Sequence, residues 1–229
     1  MCGRFTMTIA DTGRLADELG VPVAELAGYA PHYNIAPAQE HIIVRMKAET
    51  REVVTASWGL VNAWAKDPSR AARAINARAE TVATSPMFRD AFARRRCLVP
   101  ADGFYEWEGA KDARRPSWIY RPDGGLLLFA GLYESWQPAP GDWRRTFAII
   151  TTDANGPVSR IHDRMPVILD PADADRWMHR NTPASELHRL LRPAPDDWLV
   201  LRPVSRRVNR VDQDDPGLLE EEPAAPRLL

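Results

Sequence analysis

A cysteine directly behind the initiator methionine, in the run Met1-Cys2-Gly3-Arg4-Phe5, places two nucleophiles on adjacent carbons once Met1 is removed. They are a free α-amine and a thiol. With a pKa of about 7.7–8.0, roughly a tenth of such an amine is unprotonated at neutral pH. It condenses with an aldehyde to a Schiff base, and the neighbouring thiol can then close a five-membered thiazolidine ring. That closure is intramolecular, with effective molarities of roughly 10⁵–10⁸ M, so a reversible imine becomes a long-lived adduct. Taken alone, Cys2 reads first as a small apolar packing residue, the usual fate of a free cysteine.

Three further residues have side chains suited to proton transfer or orientation. Glu106 lies in the aromatic run Phe104-Tyr105-Glu106-Trp107, where strand geometry puts Phe104 and Glu106 on one face. A carboxyl held beside apolar rings has its pKa raised toward the range useful for proton transfer. His162, in the turn Ile161-His162-Asp163-Arg164-Met165-Pro166, can exchange protons near neutral pH. Asn34, ahead of Ile35-Ala36-Pro37, offers a neutral amide that can hold an amine or a sugar oxygen. Each also has an ordinary reading: a solvent-facing strand glutamate, a surface histidine and a turn asparagine.

The ordered series of motifs decides between these readings. After Met-Cys-Gly-Arg-Phe come Tyr33-Asn34-Ile35-Ala36-Pro37, Trp58-Gly59-Leu60 and Asn76-Ala77-Arg78-Ala79-Glu80-Thr81. These are followed by Arg96-Cys97-Leu98-Val99-Pro100-Ala101-Asp102-Gly103-Phe104-Tyr105-Glu106-Trp107, Phe129-Ala130-Gly131-Leu132-Tyr133-Glu134, Thr151-Thr152-Asp153 and the His162 turn. From Cys2 to about Asn209 the chain closely resembles the SOS response-associated peptidase (SRAP) family. The resemblance implies a protein that shields abasic sites in single-stranded DNA by covalent attachment through Cys2. Met1 would be removed first, by self-cleavage or by an aminopeptidase, and a Schiff-base intermediate would allow lyase activity. It assigns Glu106 and His162 to proton handling at the sugar and Asn34 to orientation. Gly3, Arg4, Asn76, Arg78 and Arg164 become the expected DNA contacts, with Trp64 stacking on a base and Thr151 near a phosphate.

Bulk composition constrains what surrounds this chemistry. The 229 residues carry a net charge of −1, which excludes DNA binding by overall charge but not a local basic groove. Positive charge is almost all arginine and crowds residues 70–96, whereas residues 212–222 are acidic. The two cysteines form no cysteine-histidine cluster at ligand spacing, so neither a zinc site nor any other cofactor is expected. With no signal-like N-terminus and no long apolar run, a cytoplasmic monomer without membrane association is expected.

The elements that must position these residues read as α+β, in a single domain over residues 1–211. Strand-like patterns at 41–46, 52–58, 96–99, 104–107, 118–120, 126–130, 147–152 and 167–169 predict a curved, barrel-like antiparallel β core with short peripheral helices. A helix is expected over residues 12–19 with Gly20 as its stop, and further helices after Ser85-Pro86, Asp170-Pro171 and Thr182-Pro183. Pro122-Asp123-Gly124-Gly125 reads as a hairpin turn, and residues 212–229 as a mobile acidic tail. Two other functions compete with the crosslinking reading. One is a thiol peptidase with Cys2 as thiolate and His162 as base, in which the free amine would be irrelevant. The other is a noncovalent reader of single-stranded or modified DNA.

Overall fold

The structure is a computed structural model and describes residues 2–109 and 114–222. The strands are β1 (Phe5–Met7), β2 (His32–Ile35), β3 (Glu40–Lys47), β4 (Thr50–Trp58), β5 (Asn76–Arg78), β6 (Arg96–Ala101) and β7 (Gly103–Glu108). They continue as β8 (Arg115–Tyr120), β9 (Leu127–Ala139), β10 (Asp142–Asp153), β11 (Arg164–Pro166), β12 (Ile168–Leu169) and β13 (Val200–Pro203). Strands β10, β4, β3, β6 and β9 pair in that order, and β9 pairs back onto β10. The five therefore close into a barrel, with α+β character as expected. One seam of the ring, β10 on β4, is parallel, as is the attachment of β5 to β10.

A second sheet, ordered β13-β8-β7-β1-β2, packs against the barrel. Phe5 at the start of β1 joins the two layers. Its ring meets His41 at 5.0 Å, Trp58 at 5.1 Å and Phe129 at 6.1 Å, all in edge-on geometry. These three rings belong to barrel strands, so the residues just ahead of Phe5 are fixed against the barrel. Gly103, where β7 begins beside β1, has to be glycine. A Cβ there would lie 2.1 Å from Trp118 Nε1, the indole nitrogen that donates to Thr6 Oγ1 at 3.0 Å.

The helices are short and peripheral. In α1 (Thr12–Leu19) the Asp11 carboxylate accepts from the Gly13 and Arg14 amides, and Gly20 at φ 64° ends the helix as its sequence signal implies. Leu15 and Leu19 bury one stripe. The helix after Ser85-Pro86, α2, begins only at Arg89 and runs to Arg94. No helix of the described residues is long and apolar enough to cross a membrane.

Two expectations about local structure are corrected. The segment at 122–125 does turn, with Gly124 at φ 71°, but it carries the chain from one sheet to the other. Strand β8 pairs with β7 and β13, while β9 pairs with β6, β10 and β12. A Pro-Asp-Gly-Gly run fixes a chain reversal, but burial of the flanking strands decides their partners. Strand β9 instead forms a hairpin with β10, whose turn has Gly141 at φ 84°.

The expected tail is packed over residues 212–222. The Asp214 carboxylate accepts from the Tyr33 amide and contacts His32 Nδ1, Leu218 is buried, and Glu221 bridges to Val204. Acidic composition alone suggested mobility, yet Asp212, Asp214 and Asp215 each meet a specific donor. Arg207, for example, pairs with Asp215. Residues 223–229 and Met1 lie outside the described residues.

Candidate active site

Cys2, Gly3 and Arg4 run directly into β1, and their placement follows from the anchoring of Phe5. The Cys2 side chain is fully buried. Its carbonyl accepts a hydrogen bond from Asn76 Nδ2 at 2.7 Å. Asn76 opens β5, which lies parallel to β10 in the register Ile149↔Asn76 and Thr151↔Arg78. The same end of β10 pairs with β11, matching Asp153 to Arg164. Three segments remote in sequence are thus brought to the edge where the N-terminus arrives.

A cavity of about 510 Å³ opens beside them, lined by Gly3, Arg4, Glu106, Trp107, Arg114, His162 and Asn209. Glu106 reaches it from β7 and is only 3% exposed. His162 comes from the turn between the short helix Gly156–Ser159 and β11. His162 Nε2 lies 4.0 Å from Glu106 Oε2. His162 Nδ1 meets the Arg164 backbone N–H at 2.9 Å and the Asp163 carboxylate at 3.0 Å, which fixes the ring with Nε2 turned toward Glu106.

Burial sets the protonation states. It pushes the Glu106 carboxyl up to about 7, with Asp163 adding to the rise. The same cause lowers His162 below the ordinary histidine value. It raises the Cys2 thiol far above the usual cysteine range, and the nearby Glu106 adds to that. Near neutral pH the carboxyl is therefore poised to give or take a proton, the imidazole is neutral, and the sulfur is a thiol.

This geometry agrees with the relatives of the chain. Residues 1–211 match the family described as SOS response associated peptidase (SRAP). The chain belongs to the SRAP family. It is 36% identical over 223 residues to the abasic site processing protein YoqW of Bacillus subtilis, covering 96% of this chain and 99% of that one. Similarity to the abasic site processing protein YedK of Escherichia coli is 31% over 226 residues, again 96% and 99% of the two chains. With the abasic site processing protein HMCES of Gallus gallus it is 33% over 224 residues, 83% of this chain and 66% of that protein. A crystal structure of a protein from Bacteroides thetaiotaomicron superposes with a TM-score of 0.85 at 25% identity, over 96% of this chain and all of the other.

Within this SRAP fold the expected site residues separate into groups. Cys2, Gly3, Arg4, Glu106 and His162 converge on or beside the cavity, and Asn76 holds the Cys2 carbonyl. Asn34 departs from its expected role. Its Oδ1 accepts from Arg4 Nη1 at 2.7 Å, and its Nδ2 donates to the carbonyls of Arg210 at 2.9 Å and Gln213 at 2.7 Å. The amide is spent locking Arg4 to the C-terminal segment, so Asn34 reaches the chemistry only through Arg4.

Arg164 and Thr151 also differ from expectation. Arg164 pairs with Glu80 and Asp153, both at 2.7 Å, and donates to the Thr151 carbonyl, which leaves its charge already matched. Thr151 is fully buried, its hydroxyl toward the Ala77 carbonyl, and presents no group to a phosphate. Arg78 is exposed and makes no ion pair among the described residues. Trp64 is 67% exposed and lines a separate cavity of about 460 Å³ with Val61, Asn62 and Met87. Sequence reasoning missed Trp107, Arg114 and Asn209 as cavity walls. Trp107 follows Glu106 directly and was the one with a local signal. Its indole N–H donates to Asn209 Oδ1 at 2.7 Å, a contact across 102 positions.

Proposed function

We propose that the mature protein, freed of Met1, captures the ring-opened aldehyde of an abasic site in single-stranded DNA. The α-amine of Cys2 adds to the aldehyde carbon, loss of water leaves the imine, and Sγ then adds to the imine carbon while its proton passes to nitrogen. The observation that carries this reading is the fully buried Cys2 side chain beside the cavity that Glu106 and His162 line, where burial holds the thiol protonated and raises the carboxyl. A thiol held in that state is a poor first nucleophile, which favours amine attack and disfavours a thiolate peptidase. Glu106 can protonate the departing hydroxyl, and neutral His162, with Nε2 toward it, can exchange that proton onward. The names of the relatives support the abasic site as target.

Intact mass spectrometry with and without abasic single-stranded DNA tests the proposal. A sample confirmed to lack Met1 is expected to gain the mass of the strand less one water, while a sample that retains Met1 gains nothing. In the latter the Cys2 nitrogen is an amide with no nucleophilic lone pair. Equal yields from the two samples would contradict the assignment.

Charge and stacking contribute separately to strand binding. Arg78→Ala is expected to weaken binding of intact and abasic strands alike and to flatten the salt dependence, each phosphate contact contributing about −0.7 to the slope of log affinity against log salt. Trp64→Ala should lose roughly 1–3 kcal/mol of stacking with the slope nearly unchanged. Binding isotherms at several salt concentrations distinguish the two. An unaltered slope in the Arg78 variant would remove it from the interface.

A further inference from the structure

Two arginines of the expected interface have their charge or donors already committed. Arg4 is held by Asn34 and by the Val208 carbonyl at 2.8 Å, and Arg164 is matched by Glu80 and Asp153. Arg114 differs from Arg164 in making no ion pair among the described residues, and from Arg4 in being exposed rather than held by an amide and a carbonyl. It lines the 510 Å³ cavity together with Arg4, Glu106 and His162. It immediately precedes β8, whose register against β7 matches Arg115 to Glu108 and Ser117 to Glu106. The backbone that carries Arg114 is therefore tied to the strand that carries Glu106.

Resting on the reading of single-stranded DNA as substrate, we propose that Arg114 is a positioning residue that seats a phosphate of the bound strand at the cavity mouth, beside Glu106 and His162. The guanidinium is a planar, permanently charged fork suited to phosphate oxygens, and its charge has no competing carboxylate to displace. The position has a second consequence. The Arg114 charge lowers the proton affinity of both Glu106 and His162, while the exposed Asp163 carboxylate raises both. The other titratable or charged groups facing the pair are the half-buried Arg4 on the same cavity wall, the Cys2 thiol and, in the mature chain, its α-amine. Of all these, only Arg114 combines positive charge with the exposure that lets a phosphate neutralise it. Docking of the strand then lets Glu106 and His162 hold their protons to higher pH, and the acid is loaded when substrate is present.

Arg114→Gln and Arg114→Lys test this in two assays. The first measures affinity for a single strand carrying a tetrahydrofuran abasic analogue, which has no aldehyde and cannot crosslink. Arg114→Gln is expected to bind several-fold more weakly, with the salt slope reduced by about 0.7, and Arg114→Lys to retain most of both. The second measures single-turnover crosslinking against pH, at subsaturating and at saturating strand. In the wild type the subsaturating profile is expected to lie at lower pH than the saturating one, and in Arg114→Gln that gap should close. Unchanged affinity, or weaker binding with an unaltered salt slope, overturns the phosphate contact. A gap that persists in Arg114→Gln overturns its link to the acid/base pair. If no protein crosslinks, the covalent reading fails while the analogue assay still judges Arg114.

Discussion

Cys2→Ala is expected to abolish the heat-stable adduct with abasic single-stranded DNA while leaving affinity for the strand close to that of the wild type. After removal of Met1 the variant still carries an α-amine at position 2, so an imine can form and borohydride can trap it. What is missing is the ring. Without Sγ the product loses an intramolecular trap worth an effective molarity of roughly 10⁵–10⁸ M, and the imine hydrolyses on heating. Strand binding survives because the Cys2 side chain is fully buried and offers nothing to a phosphate. Cys97 cannot substitute. Its nitrogen is a peptide amide with no nucleophilic lone pair, and it lies in β6 against Gly131 of β9, inside the barrel wall. Denaturing electrophoresis with and without borohydride makes the measurement. Peptide mapping of a wild-type crosslink to Cys97 or to a lysine would remove Cys2 from the mechanism.

The parts of this site that were legible in the sequence are those set by local pattern. Period-two alternation placed Glu106 among buried aromatic residues, and the structure finds its pKa raised by that burial. Cys2 taken alone read as a packing residue, and only its place behind Met1 at the head of the ordered motif series pointed to amine and thiol chemistry. What could not be read depends on partners far along the chain. Asn34 looked like an orienting amide, but its amide donates to carbonyls of residues 210 and 213, more than 170 positions away. Arg164 looked like a phosphate ligand until Glu80 was found against it. The acidic segment after residue 211 carried the composition of a solvated tail, and only the fold supplies the Tyr33 amide that binds Asp214. The barrel-like core was expected, but the pairing that closes it was hidden for the same reason. Closure runs through the parallel β10–β4 seam, where residues 146 and 147 meet 57 and 58, and short-range periodicity does not reveal which strands will pair at that distance.

Glu106→Gln is expected to slow adduct formation by about 10²-fold or more without changing the thiazolidine end product, since the chemistry of Cys2 sets the product and the carboxyl sets the rate. The pH dependence should change in form. In the wild type, an ascending limb from deprotonation of the amine is cut off by loss of the Glu106 proton above about 7. Glutamine removes that descending limb. His162→Ala should slow the reaction on a similar scale while keeping the limb that belongs to Glu106. The same substitution has an opposite effect on stability. Between the ordinary carboxyl value of 4.5 and about 7 the folded chain keeps Glu106 protonated while the unfolded chain ionises it, so the folded state binds more protons and stability falls as pH rises through that window. The span amounts to a penalty on the order of 3 kcal/mol above neutral pH, fully absent below the unfolded value. Glu106→Gln should therefore be more stable than the wild type at pH 8 and gain nothing from this source at pH 4. Urea denaturation at both pH values, beside single-turnover time courses, measures the two effects on one protein. A variant with wild-type rate and no pH-dependent gain in stability would reduce Glu106 to an ordinary strand residue.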